Sequence, residues 1–315
     1  MKNILRTHPY LFALLLLAVL VIINTMLQPN FFSLRVLSGN LRVWLPLMLL
    51  AAGQTMVIIG GGIDLSVGTM VSLINAVLVT LVLPEAGAGS ILLALAISLV
   101  IGTLAGMLNG FFVSILRLQP IVTTYATSFI FSGLALLILP RPGGQLPRAL
   151  TSLYRSSPWG IPFPIFVIFA SIVLWLLLKR TRFGQYLYAI GSHADAAYTT
   201  GLAVNRLRFS FYAASGLCSA LAAWMLTLSM GSGNPRSGDT MTLDSIVAVV
   251  LGGTRLSGGQ GGIVGSLLGV AILGVIRNII SFANVPTWYQ TLVNAIIIVL
   301  ALAGPGVLRL LRRQA

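Results

Sequence analysis

The feature that most constrains this chain is a series of long apolar stretches without charge. LFALLLLAVLVIINTML, residues 11–27, is about as long as one bilayer crossing requires. Similar runs cover 43–60, 67–83, 91–113, 121–139, 161–178, 209–230, 263–276 and 288–303, with a weaker one at 243–251. A soluble domain of 315 residues has no interior that could take them all. Charged residues fall to 8%, against about 25% in ordinary soluble domains. In lipid every backbone polar group must be paired within the protein, so only helices and closed barrels cross. A barrel would alternate apolar and polar residues over strands of about ten residues, whereas these runs are continuous. The expected fold is an all-α polytopic membrane protein, one transmembrane domain over residues 1–315 with about ten transmembrane helices.

The net charge of +14 raises the question of a nucleic-acid partner. The basic residues lie mostly in short segments between apolar runs, where they set orientation in the membrane; no nucleic acid is expected, and lipid is the surrounding partner. Lys179, Arg180, Arg182, Arg206 and Arg208, with one acid, Asp195, place residues 179–208 in the cytoplasm. Lys2 and Arg6 at the N-terminus and Arg309, Arg312 and Arg313 in the tail place both ends there too. An even number of crossings follows. The first run resembles a signal peptide, but no small-x-small cleavage site follows it, so it reads as an uncleaved first helix. Arg35, Arg42, Arg141, Arg148 and Arg155 fall on the outer side in this scheme, against the rule. The single cysteine, Cys218, excludes an intrachain disulfide.

Two glycine-rich stretches resemble each other. In IGGGIDLSVGTMVSL (59–73) and VLGGTRLSGGQGGIVGSL (250–267), Gly61, Gly62, Leu65 and Ser66 align with Gly252, Gly253, Leu256 and Ser257. After a three-residue insertion, Gly68, Ser72 and Leu73 align with Gly262, Ser266 and Leu267, while Asp64 faces Arg255. Paired glycine interruptions of hydrophobic segments point to a transport pathway, where helices break and freed backbone groups line a cavity. Small residues also let helices pack closely, and the same glycines can do both. Two full crossings would give the motifs one sense, whereas a re-entrant segment at 243–251 would invert one of them.

The second stretch contains LSGGQ, which resembles the signature string of the ATPase subunits of ABC transporters. A nucleotide site also needs a phosphate loop GxxxxGK[ST]. The chain has two lysines, Lys2 and Lys179, and neither lies in such a loop. The string is a glycine-rich turn, and the chain is not expected to be an enzyme.

It resembles instead the partner of such an ATPase. GGIDLSVG (61–68), NG at Asn109 and Gly110, LQPIVTTYAT (118–127), RFGQYLYAIGSHADAAYTTGLAVNRLRFSFYAASG (182–216) and AVVLGGTRLSGGQGG (248–262) together resemble the sugar-importer permeases of ABC transporters, the membrane subunits of ribose-type systems. The resemblance runs in order through nearly the whole chain. It implies a two-repeat permease pairing with a second copy or paralogue, two cytoplasmic ATPase subunits holding ATP and magnesium, and a periplasmic binding protein delivering a monosaccharide across the bacterial inner membrane. No cofactor or metal is expected on this chain. Tyr125 and Arg255 depart from the family's pattern.

Within the cytoplasmic segment, SHADAAYTTG reads as a short helix: Ser192 as N-cap, Asp195 near the positive helix end, and Gly201 as a left-handed terminator. Small Ala194, Ala196 and Ala197 leave a slim surface suited to a groove on the ATPase. Candidate pathway or gate residues are Gln54, Gly61, Gly62, Asp64, Ser66, Asn75, Asn109, Thr123, Thr124, Gly252, Gly253 and Arg277, with Asn278 beside the last. Asp64 is expected at a helix end, capping or pairing; Arg277 could snorkel, and Gln54 and Asn109 could be interhelical glue. A secondary transporter would need carboxylates within helices, yet Glu85, Asp195, Asp64, Asp239 and Asp244 read as loop or end positions. An intramembrane enzyme is disfavoured because His8 and His193 lie outside the runs. A branched-chain amino-acid permease has similar architecture and stays open.

Overall fold

The computed structural model describes residues 10–283, together with 286, 289, 292, 295, 296 and 299. Lys2, Arg6, Arg309, Arg312, Arg313 and, apart from those single positions, the run 288–303 lie outside the described residues. In chain order the helices are α1 (Tyr10–Leu27), α2 (Leu34–Ile59), α3 (Val67–Leu81), α4 (Ala88–Gly110), α5 (Pro120–Ile138) and α6 (Arg148–Arg155). They continue as α7 (Phe163–Arg180), α8 (Arg182–Ser192), α9 (Ala194–Thr199), α10 (Val204–Met230), α11 (Met241–Leu251) and α12 (Ile263–Phe282). A wide turn, Phe111–Ile115, prolongs α4.

Seven of these, α1, α2, α4 with its extension, α5, α7, α10 and α12, are long and apolar enough to cross a membrane. The apolar helices α3 and α11 are shorter. The all-helical polytopic fold therefore stands. Two boundaries differ from the sequence reading, since α2 takes in Arg35 and Arg42, and α10 takes in Arg206 and Arg208. Helices α6 and α8 form within segments that read as loops.

Helix α10 is the hub, packed against α2, α3 and α4, while α3 also lies on α5, and α12 on α1, α2 and α11. Burial separates the layers: 83% of the central window of α2 is buried, against 11% in α1 and in α7. Those two present their leucines and phenylalanines to lipid. Glycines set the closest approach. A Cβ at Gly106 of α4 would strike the carbonyl oxygen of Tyr212, and one at Gly216 of α10 that of Gly102. This is backbone-to-backbone packing through small residues.

Pro46 sits inside α2. A proline lacks the N–H that would pair with the carbonyl four residues earlier, here that of Arg42. Tyr154 of α6 fills the vacancy, its buried phenol donating to the Arg42 carbonyl at 2.8 Å. Arg42 returns the contact, donating from Nη1 to the carbonyl of Arg155 at 3.0 Å, at the end of α6. One outer arginine is thus structural. Tyr154→Phe leaves the carbonyl unpaired and should lower stability by about 1–3 kcal/mol. Thermal unfolding in detergent checks this, and an unchanged transition would show that the bond is dispensable.

Between α10 and α11 the chain descends beside α3 as a series of turns rather than a continuous helix. Asn234 N–H donates to Asn75 Oδ1 (2.7 Å) and Gly238 N–H to Ser72 Oγ (2.9 Å). Lower down, Gly68 N–H donates to Thr242 Oγ1 (3.0 Å). Irregular backbone is tolerated inside a membrane protein where protein groups satisfy it, and α3 supplies them. Helix α11, with 11 residues, rises about 16 Å, so arm and helix together make one passage.

Candidate translocation and coupling sites

The two glycine turns have the same backbone geometry. Gly60, Gly61 and Gly62 donate to the carbonyls of Met56, Ile58 and Val57; Gly252, Gly253 and Thr254 donate to those of Ala248, Val250 and Val249. Gly61 (φ 83°) and Gly253 (φ 87°) both adopt the left-handed conformation that glycine reaches without strain. This pairs Gly60 with Gly252 and Gly61 with Gly253, one residue away from the alignment by letters. The alignment beyond the turn also shifts, because Gly68 lies inside α3 whereas Gly262 precedes α12. Asp64 and Arg255 are not counterparts: Asp64 is buried, and Arg255 is exposed at the tip of a turn. Gly259 N–H donates to the Ile59 carbonyl at 2.9 Å, so both turns lie at one end of the bundle. The motifs therefore have the same sense, as two full crossings require.

Between the first turn and α3 the structure gathers four of the sequence candidates, Asp64, Ser66, Asn109 and Thr124, and adds Thr127, which the sequence reading does not single out. Asp64 Oδ1 accepts from Ser66 N–H (2.9 Å) and Ser66 Oγ (2.7 Å). Asn109 of α4 donates from Nδ2 to Ser66 Oγ (2.7 Å) and at 3.3 Å to Asp64 Oδ1. Thr127 of α5 donates to Asn109 Oδ1 at 2.7 Å. Thr124, one turn earlier, accepts from Leu65 N–H at 2.9 Å. Asp64 has no cationic partner among the described residues. Ser66 and Asn109 supply the hydrogen bonds to its buried carboxyl group. The network pins the unwound segment to α4 and α5, which the spacing in sequence gave no means of seeing.

The other candidates scatter. Asn75 holds the descending arm and donates from Nδ2 to Thr227 Oγ1 on α10 at 2.8 Å. Thr123 turns back to the Gln119 carbonyl at 2.8 Å. Gln54 is buried in α2 with both ends of its amide unpaired among the described residues. Gly62 packs under the Tyr212 phenol, and Gly252 against the backbone of Gly265. Arg277 does not snorkel alone: Nη2 pairs with Asp244 Oδ2 at 2.6 Å, tying α12 to the first turn of α11.

At the end that bears the glycine turns, α8 and α9 lie across the bundle. Ser192 is not the N-cap of α9. It closes α8, its Oγ donating to the Tyr188 carbonyl at 2.8 Å, and His193 precedes α9 without a side-chain cap bond. Asp195 does lie in the first turn. Gly201 (φ 83°) terminates α9 as expected, with Leu202 N–H donating to the Ala197 carbonyl at 3.2 Å and Gly201 N–H to that of Tyr198 at 3.0 Å. Ala197 faces inward and is buried, so it is no part of an outer surface. The exposed residues are Ser192, His193, Asp195, Ala196, Tyr198, Thr199, Thr200 and Gly201, with Ala194 half-buried.

A discontinuous, helical core with glycine turns at one end, where a short capped helix is exposed, defines a membrane permease. The chain belongs to the branched-chain amino acid transport system / permease component family, whose model matches residues 36–302. It is 39% identical over 289 residues to the ribose import permease protein RbsC of Bacillus subtilis, covering 90% of this chain and 89% of that one. RbsC of Escherichia coli is 34% identical over 297 residues (92% and 91%). The autoinducer 2 import system permease protein LsrD of Salmonella typhi is 31% identical over 290 residues (90% and 86%). No solved structure matches the chain. The chain is thus a ribose-type permease subunit of an ABC importer, a multi-pass protein of the bacterial inner membrane.

Proposed function

We propose that this permease carries a monosaccharide inward, that an ATPase subunit docks on α8 and α9, and that a solute-binding protein delivers the sugar at the opposite end. The observation that carries the substrate class is the 39% identity to a ribose import permease across 90% of the chain. Docking is supported by the shape of α9: Asp195, Ala196 and Tyr198 protrude, and the Gly201 cap fixes the element that presents them. At the far end Arg35, Arg141, Arg148 and Arg155 are exposed, a surface suited to carboxylates on the delivering protein. ATP and magnesium belong to the ATPase partner, and the permease acts as a pair of copies or of sister chains with about ten crossings each, both termini cytoplasmic.

Uptake of labelled ribose, with binding protein and ATPase co-expressed, tests this reading. Excess unlabelled ribose should suppress uptake and leucine should not; no uptake of labelled ribose together with saturable uptake of labelled leucine would favour the amino-acid class named in the family description. Ala196→Arg should remove the ATPase from the purified complex without altering permease yield. Normal co-purification would move the docking site elsewhere.

A further inference from the structure

The LSGGQ stretch forms a glycine-rich turn that occupies a crowded position. Three backbone segments meet, with the Ser192 hydroxyl among them: the end of α2 at Ile59, the end of α8 at Gly191 and Ser192, and the turn at Gly258 and Gly259. The Ile59 carbonyl is among those a helix terminus leaves unpaired, and Gly259 N–H takes it at 2.9 Å. A Cβ at Gly191 would fall inside that same carbonyl oxygen. A Cβ at Gly258 would lie 2.7 Å from the Gly191 oxygen, and one at Gly259 2.5 Å from Ser192 Oγ. Both turn glycines have left-handed backbone, φ 84° and 72°.

The turn is closed on itself and clamped from α8. Arg255 N–H donates to the Gln260 carbonyl at 3.1 Å. Tyr188 Oη donates to the Gly261 carbonyl at 2.7 Å. Burial pushes the Tyr188 phenol up to about 12, so it keeps its proton and remains a donor. Lys179 lies 5.6 Å from the centre of the same ring. The end of α8 therefore touches both the end of α2 and the Gly258–Gly259 turn. The segment leaving the first turn is the one pinned by Asp64, Asn109 and Thr127.

We infer that the Gly258–Gly259 turn is the linkage that carries displacement of α8 and α9 into the break between α2 and α3, with Gly191, Gly259 and Tyr188 as positioning residues. Backbones packed against one another at Gly191, Ser192, Gly259 and Ile59 cannot slip past by rotamer change, so a shift of Ser192 must move Ile59. The inference rests on the reading that α8 and α9 receive the ATPase.

The test measures the ratio of sugar imported to ATP hydrolysed by the purified complex, with ATPase and binding protein, in liposomes. Gly259→Ala inserts a methyl group at the contact, and Tyr188→Phe removes only the bond to Gly261. Each should lower the ratio several-fold while the ATPase still co-purifies and hydrolyses. A residue with a merely structural role would lower transport and hydrolysis together, and a wild-type ratio in both variants would overturn the linkage. If Gly259→Ala yields no folded complex, Tyr188→Phe decides alone. Loss of the ATPase from the Tyr188→Phe complex would also overturn it, by making the turn a docking element. Failure of the docking reading itself shows separately, as normal ATPase retention by Ala196→Arg.

Discussion

Import should fall about 100-fold in an Asp64→Ala variant. The substitution strips the acceptor from three donors in a buried cluster, Ser66 N–H, Ser66 Oγ and Asn109 Nδ2. An unpaired buried donor costs about 1–3 kcal/mol, so even the low end of the sum, about 3 kcal/mol, shifts the population holding the break by about two powers of ten. The loss should appear first in uptake, because the segment it releases joins the glycine turn to α3. Asp64→Asn keeps one acceptor oxygen and should retain an intermediate rate. Uptake at the wild-type rate in Asp64→Ala would remove the network from the transport cycle.

Gly106→Val should yield no monodisperse protein in detergent. The added carbons meet the Tyr212 carbonyl and the Gly216 backbone rather than a side chain that could turn away. Overpacking against movable side chains costs about 1–3 kcal/mol; here the backbones of α4 and α10 must separate. Gly89→Val lies in the same helix with nothing within 4 Å of its Cβ and should be neutral. Size-exclusion profiles of the two variants, purified in parallel, make the comparison. A symmetric peak for Gly106→Val would mean that the helices can part without loss.

The helices were legible in the sequence because lipid imposes a simple condition on each one separately. Length and lack of charge identify α1, α4, α5, α7 and α12 without reference to any neighbour. Gly201 was legible for the same reason, since a left-handed terminator is a local matter. The site was less so. Asp64 read as a helix-end carboxylate, and it is one, but its tie to Asn109 spans 45 residues and leaves no periodic trace. Arg277 and Asp244 sit on different helices, and each alone looks like a misplaced charge. Tyr154 could not be matched to the carbonyl that Pro46 leaves free, 112 residues away. The glycine alignment slipped by one residue because letters were matched where hydrogen-bond geometry decides.

The descending arm before α11 also bears on how the protein is built. A helix of 11 residues cannot cross a hydrocarbon layer of about 30 Å alone, and without α3 the amides of Asn234 and Gly238 in the arm before it would enter lipid unpaired. The groups that receive those amides, Ser72 and Asn75, belong to a helix synthesised earlier. Insertion therefore cannot proceed as a simple sequence of independent crossings. The first half must be in place before the arm can leave water, so the amino-terminal helices act as the template on which the carboxy-terminal half assembles. A truncated carboxy-terminal half, expressed alone, would lack the surface that makes its own half-helix soluble in the bilayer.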